Sequence, residues 1–283
     1  MPPLRTLLIL GRVSNLPTVW SNCLAGWLLG GGENLAKVPF LFLGVTLLYL
    51  GGMFLNDAFD TEFDRQHRKE RPIPSGAISS QLVWRGGFGM LLFGNALLFA
   101  AGVTPGILGA VLALNILLYD AVHKAFTFSP IIMGGCRFLV YLVAAATGEL
   151  GVTGYAAWSG LALGAYVVGL SFVARRESLR SRPPNWPVAL LAVPVVLALL
   201  LNAGSYRASA TLVALILTLW VVRALRTTYW TQMPNVGRTV SALLAGIVFV
   251  DWLAIAHAPR ELAAAFIALF VAALLCQRYV PAT

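Results

Sequence analysis

The sequence predicts an all-α, polytopic transmembrane bundle of nine to ten spans, and three observations carry that prediction. Hydrophobic residues make up 59% of the 283 positions and charged residues only 11%, whereas a soluble domain carries roughly a quarter charged. The apolar residues gather into ten runs near the roughly 20 residues that cross a bilayer as a helix. The Lys and Arg residues lie almost wholly on alternate sides of those runs. So few charges cannot cover a water-soluble body of this size, and a chain this apolar does not stay disordered.

The runs cover residues 15–31, 38–59, 82–102, 104–122, 129–149, 155–174, 187–203, 208–226, 237–256 and 260–279. Arg12, Asn15 and Asn22 interrupt the first, so it reads as a span and not as a cleavable leader. Pro17, Pro39, Pro105, Pro130, Pro187 and Pro194 sit near helix starts, where a missing N–H costs least. Gly51-Gly52, Gly86-Gly87 and Gly134-Gly135 let helix backbones approach closely. With the N-terminus cytoplasmic, seventeen of the twenty Lys+Arg fall on that side, and Lys37, Arg207 and Arg260 on the other. That asymmetry predicts a multi-pass protein of the bacterial inner membrane, with one domain over residues 1–283.

The net charge of +9 sits in short loops beside lipid headgroups. No basic face interleaved with aromatics is long enough to track a nucleic acid, so the lipid bilayer is the expected partner. Cys23, Cys136 and Cys276 lie inside apolar runs, without metal or disulfide spacing, and read as small core residues. His67, His123 and His257 have no ligand spacing to one another and read as solvated or interfacial.

The acids are concentrated. Five of the eleven fall between Asp57 and Glu70, where the second run ends. Asn56, Asp60 and Asp64 are four apart and stack along one helical face, with Asp57 at its edge. Like charges at that spacing repel. A hard cation, Mg²⁺, relieves the repulsion, because oxygen ligands, a few carboxylates and retained waters suit its octahedral shell. Arg65, Arg68, Lys69 and Arg71 follow at once, on the cytoplasmic side. Carboxylates and cations at the mouth of an apolar bundle describe a site for an anion with a greasy tail. Metal and basic groups take the phosphate oxygens, and the tail lies among the helices. An allylic prenyl diphosphate meets those demands. The plainer alternative is a solvated helix end whose acids pair with topology-setting arginines.

Asn56-Asp57-x-x-Asp60-x-x-x-Asp64 followed by Arg71-Pro72-Ile73-Pro74-Ser75-Gly76 resembles the first signature of the UbiA superfamily of intramembrane prenyltransferases. Arg12 and Asn15 through Gly26 resemble its first helix, and Tyr119 with Lys124 and Gly135-Cys136-Arg137 its later landmarks. The resemblance implies a UbiA-like bundle of about nine spans around a lipid-open cavity. It also implies Mg²⁺-dependent transfer of a prenyl group from a polyprenyl diphosphate to an aromatic or other small hydrophobic acceptor. One departure stands out. Where the family carries a second Asp-rich motif after its sixth helix, this chain reads Ser171-Phe172-Val173-Ala174-Arg175-Arg176-Glu177-Ser178. The two arginines either set topology or supply the positive charge a second metal would bring, since guanidinium forks bind phosphate oxygens bidentately. The pattern is also similar to a divergent, EboC-like branch.

Asp57, Asp60, Asp64, Lys124 and Arg137 are thus expected to be catalytic. Asn56, Asp57, Asp60, Asp64 and Glu177 are expected to hold the metal, and Asn56, Arg65, Arg71, Lys124, Arg137, Arg175 and Arg176 to bind the diphosphate. Arg137 and Asp251 stand out further, because a charge inside an apolar run is costly and normally has a partner. Asp251 reads equally as a core acid bonded to Ser or Asn. The competing class is a non-catalytic UbiA-like protein that binds or transports a lipid-linked or small aromatic molecule. A secondary transporter would need paired broken helices and midplane charges in both halves.

Overall fold

Every apolar run becomes helical. A computed structural model describes residues 4–175, 183–202, 204, 206–256 and 261–280. In chain order the helices are α1 (Leu4–Leu10), α2 (Leu16–Leu29), α3 (Val38–Phe59), α4 (Thr61–His67), α5 (Ser80–Ala101), α6 (Val103–Val122), α7 (Ser129–Thr147), α8 (Gly154–Ala174), α9 (Trp186–Leu191), α10 (Val193–Leu201), α11 (Tyr206–Tyr229), α12 (Val236–Ala254) and α13 (Leu262–Tyr279).

Among the described residues, eight helices are long and apolar enough to cross a membrane: α3, α5, α6, α7, α8, α11, α12 and α13. The count falls one or two short of the expected nine to ten. The shortfall lies in the first and seventh runs, and both have a backbone reason. Arg12 adopts a left-handed φ of 42°, which parts α1 from α2 and leaves α2 with 14 residues. The seventh run breaks between α9 and α10, and Pro194 stands in the first turn of α10. A proline there has no N–H with which to continue the ladder of the preceding helix.

Two apolar cores share α2 and α7. One gathers Tyr141, Leu163, Tyr166, Leu217, Ile247 and Phe266 from α7, α8 and α11 to α13. The other gathers Val45, Leu48, Leu55, Leu91, Leu98 and Leu112 from α3, α5 and α6. Leu24 and Leu28 of α2 pack against both. Large apolar side chains such as Leu92, Leu114, Leu200 and Leu219 remain on the outside, as they do where lipid replaces water at the surface.

The acids ride on α3, and α5 sets its position. A Cβ added to Gly51 would lie 2.9 Å from the Gly87 carbonyl oxygen, and one on Gly94 would lie 2.7 Å from that of Gly44. The two backbones touch, as small residues allow in membrane bundles. Of the glycines singled out by sequence, Gly51, Gly87 and Gly134 sit in such contacts, whereas Gly86 has nothing nearer than Phe54 at 3.7 Å. Beyond α4 the chain folds back over the end of α3. Ile73 and Ile78 bury against Leu10, Ala58 and Val83, and Gly76 makes the turn at φ 76°.

Because the Gly94 contact is backbone on backbone, Gly94→Val is expected to destabilise the bundle by about 1–3 kcal/mol through overpacking. Gly89→Val, where nothing lies within 4 Å of the new Cβ, serves as the matched control. Thermal unfolding in detergent compares the two, and equal midpoints would contradict the close α3–α5 contact.

Candidate active site

The helical ladder runs straight through the junction of α3 and α4. Asp60 N donates to Asn56 O, Asp64 N to Asp60 O and Arg68 N to Asp64 O, at 3.0, 2.9 and 2.8 Å. Asn56, Asp60 and Asp64 therefore stand one turn apart, as their spacing predicts. Asn56, Asp57 and Asp64 are buried, and Asp60 is partly so.

Asp57 and Asp60 meet cations from different parts of the chain. The Arg12 guanidinium reaches back from the turn before α2, donating to Asn56 Oδ1 at 3.1 Å and to Asp57 Oδ1 at 3.5 Å. Its left-handed backbone is a strained conformation of the kind that gathers at functional sites. Arg71, carried in by the folded-back loop, lies 3.8 Å from the same Asp57 oxygen. Asp60 receives Lys124 Nζ at 2.8 Å and stands 3.3 Å from His123 Nε2. Lys124 also sits over the Phe63 ring, 3.8 Å from its centre, a cation–π contact. His123 Nδ1 lies 3.1 Å from the Asp120 carbonyl oxygen. Both ring nitrogens face acceptors, the arrangement that suits the doubly protonated ring.

Burial alone would raise the Asp60 carboxyl, but hydrogen bonds from His123 and Lys124 outweigh it and hold it below the usual carboxylate range. Burial alone would lower His123, yet its bond to Asp60 prevails and raises it. Asp64 moves up, because burial disfavours its charge and Asp60 repels it. Asp64 also feels Lys124, Arg71 and Asp57, so five of the expected residues share one electrostatic neighbourhood.

Sequence reasoning missed three members of this cluster. Asp120, near the end of α6, accepts from Asn56 Nδ2 at 3.0 Å and is buried. Like Arg137 and Asp251 it is a charge inside an apolar run, and that signal could have found it. His123, read as solvated or interfacial, proves to be an Asp60 partner. Arg12 belongs to the cluster through a backbone turn that no spacing announces.

Other expected residues are not bonded to these acids. Arg137 is inside α7, donating to Asn22 Oδ1 at 2.5 Å and Thr18 Oγ1 at 3.2 Å. Tyr49, whose hydroxyl donates to the Arg12 carbonyl, is within electrostatic reach of both Arg137 and Arg12. Arg65 is exposed and pairs with Glu62, on the outside of α4. The Arg175 guanidinium donates to the backbone carbonyls of Thr127 and Phe126. Arg176 and Glu177 lie outside the described residues. A partly open pocket between α8, α10 and α12, lined by Ser159, Pro194, Asn202 and Val250, is at the opposite end of the bundle.

The donor set suits a hard divalent cation. Asp57 Oδ2 and Asp120 Oδ2 are buried without a hydrogen-bond partner among the described residues. These are carboxylate oxygens, the ligands Mg²⁺ takes. Among the described residues no three His, Cys, Asp or Glu side chains converge as a finished metal site. That also fits Mg²⁺, which is usually bound by one or two carboxylates together with substrate phosphates and waters.

A helical membrane bundle whose acid-lined, cation-rimmed mouth lies where α3 and α6 end defines the class of protein. Residues 15–274 match the UbiA prenyltransferase family, and the chain belongs to it. It is 33% identical over 160 residues to the 4-hydroxybenzoate octaprenyltransferase of Alcanivorax borkumensis, covering 55% of this chain and 51% of that relative. The chain thus spans about half the length of that curated relative. Its fold is similar to a digeranylgeranylglyceryl phosphate synthase structure, with TM-score 0.61, 20% identity and coverage of 97% of this chain and 100% of the other. It is also similar to a UbiA homologue from Archaeoglobus fulgidus bound to GPP and Mg²⁺, with TM-score 0.52, 14% identity and 97% coverage of each chain. These similarities establish the family and a multi-pass integral membrane protein; they do not single out an EboC-like branch.

Asn56 joins Arg12 to Asp120, so Asn56→Leu strands a donor on one side and an acceptor on the other. The substitution is expected to cost about 1–3 kcal/mol of stability, the usual penalty for a buried polar group left without its partner. Chemical unfolding in detergent measures it, and an unchanged midpoint would mean the bridge contributes nothing.

Proposed function

We propose that this protein is an Mg²⁺-dependent prenyltransferase that moves the allylic group of a polyprenyl diphosphate to an aromatic or other small hydrophobic acceptor. In this reading the acid-lined mouth faces the cytoplasm of a bacterial cell. The observation that carries it is the cluster itself. Buried carboxylates at Asp57, Asp64 and Asp120, two of them with an oxygen that has no partner among the described residues, share one mouth with Arg12, Arg71, His123 and Lys124. A solvated helix end needs neither the burial nor the unused oxygens.

Asp57, Asp64 and Asp120, with Asn56 and Asp60 beside them, are the residues that would hold Mg²⁺. When bound, the ion neutralises diphosphate oxygens and eases departure of the diphosphate. Lys124 and Arg71 take further oxygens of the same group, since both are cations at the mouth that can exchange a carboxylate for a phosphate. Lys124 and His123 keep Asp60 ionised in the absence of substrate. Arg12 fixes the rotamers of Asn56 and Asp57. The apolar helices below shelter the prenyl chain and exclude water from the allylic cation, so that an electron-rich acceptor captures it first.

One observation favours a second reading. Arg175 is spent on the carbonyls of Thr127 and Phe126, and a guanidinium so occupied does not replace a second metal. A non-catalytic binder of a lipid-linked or aromatic molecule has no need of that replacement.

Membranes containing the protein, incubated with labelled prenyl diphosphates and Mg²⁺, are expected to release diphosphate, faster with an acceptor present. Chelating the metal is expected to stop the release. Binding without release would move the balance to the second reading. Asp60→Ala is expected to fold normally and to lose on the order of 100-fold in turnover, comparable to removing one electrostatic stabiliser from other active sites. Full activity in that variant would end the assigned role of Asp60.

A further inference from the structure

A second polar cluster lies deeper in the bundle, where α2, α7 and α12 meet. Its centre is Asp251 of α12, which is fully buried, as are Ser21, Asn22 and Tyr141 around it. The carboxylate takes three donors: Ser21 Oγ and Asn22 Nδ2 on one oxygen, the latter at 2.7 Å, and Tyr141 Oη on the other at 2.6 Å. Three donors on one side chain is full satisfaction for a group that would otherwise be very costly in an apolar interior.

Asn22 does more than satisfy it. Its Nδ2 donates to Asp251 while its Oδ1 accepts from Arg137 Nη1 at 2.5 Å. The amide therefore stands between an anion and a cation, with each end facing the charge it complements. An asparagine amide has two similar ends, and its neighbours decide which way it turns. Asp251 decides it here, because a carboxylate only accepts. One helical turn earlier on α2, Thr18 Oγ1 accepts from Arg137 Nη2 at 3.2 Å, so two neutral acceptors at i and i+4 grip the guanidinium fork. Arg137 itself makes no direct ion pair among the described residues.

That separation has a chemical consequence. A direct Arg–Asp pair would spend the fork on its partner. With an amide interposed, Arg137 keeps its charge uncancelled at close range, and the hydrogen bonds above use two of its five N–H groups. The side chain is partly exposed and within electrostatic reach of Tyr49, whose hydroxyl donates to the Arg12 backbone carbonyl. Arg12 in turn holds Asn56 and Asp57. Hydrogen bonds thus join the buried acid to Arg137 through Asn22, and Tyr49, bonded to Arg12 at the mouth, is within electrostatic reach of that guanidinium.

We propose that Asp251 is a positioning residue of the diphosphate site, acting through Asn22 to hold the Arg137 guanidinium against α2 with unspent donors available to an anion. The role rests on the prenyl diphosphate reading above. Asp251 touches neither substrate nor metal in this arrangement. Replacing it with asparagine keeps the volume but lets the Asn22 amide turn over, and the carbonyl that grips Arg137 is lost.

The test is a double-mutant cycle on the full chain in nanodiscs: wild type, Asp251→Asn, Arg137→Gln and the double variant. Three quantities are read: affinity for a sulfur-bridged geranyl diphosphate analogue that does not ionise, kcat/KM with geranyl diphosphate and Mg²⁺, and the melting temperature. Asp251→Asn is expected to weaken binding of the analogue by about tenfold, the scale of one hydrogen bond to a charged group. In the Arg137→Gln background the same change is expected to cost nothing further, because the residue through which it acts is gone. Penalties that simply multiply would overturn the proposal. So would a lower melting temperature with unaltered analogue binding, the signature of a merely structural acid. If Asp251→Asn does not fold, Asn22→Ala takes its place in the cycle, breaking the link while leaving the carboxylate two donors. A wild-type protein that neither binds the analogue nor releases diphosphate would remove the proposed function and this role together. A wild type that does both, with multiplying penalties, would remove this role alone.

Discussion

A carboxylate at the mouth of an apolar bundle has lost much of its water, and it stays ionised there only if the fold delivers cations and donors to replace the hydration shell. That constraint organises one end of this molecule. Four carboxylates and an amide crowd the ends of α3 and α6, and the cations they require come from three separate stretches of chain. Arg12 comes from the break before α2, Arg71 from the loop that folds over α3, and Lys124 with His123 from the end of α6. The compensation is incomplete, since Asp57 and Asp120 each keep an oxygen that no described residue satisfies. A site that falls short of self-satisfaction by two acceptors is the observation on which the proposed cation rests.

The same constraint shapes the short first run. α2 is flanked by both apolar cores, and its polar residues Thr18, Ser21 and Asn22 face α7 and α12 while its apolar ones bind the cores together. The broken backbone at Arg12 shortens α2 below spanning length, and it also aims a guanidinium at Asn56. A straight helix through that position would have been longer and would have left the acids without that cation. Local strain is here exchanged for electrostatic compensation over a sequence separation of 44 residues.

Much of this was legible beforehand. The ten runs lie within three residues of the observed helices, because a membrane span is defined by length and apolarity, both of which are one-dimensional. The line formed by Asn56, Asp60 and Asp64 was legible for a similar reason, since helical periodicity projects directly from spacing. Lys124 and Arg71, expected on the same side as the acids, lie 2.8 Å from Asp60 and 3.8 Å from Asp57; their role toward a diphosphate is a proposal. Arg65 and Arg175, equally basic and on the same side, turned elsewhere: one to Glu62, the other to carbonyls of the α6–α7 connection. Charge and side of the membrane do not distinguish these outcomes, because rotamer and helix face decide which arginine enters the mouth.

The amino-acid sequence alone determined that this chain crosses a membrane many times, where most helices begin and end, and that acids and bases gather where the third helix closes. Those properties depend on near neighbours along the chain, and periodicity encodes them. Tertiary structure alone decided that Arg12 bends back to Asn56, that Asp120 and His123 complete the cluster, and that Asp251 reaches Arg137 only through an asparagine. Such pairings join helices remote in sequence, and their geometry follows from close backbone contacts such as that of α3 with α5. The packing of whole helices sets those distances, and the spacing of residues along any one helix carries no record of them.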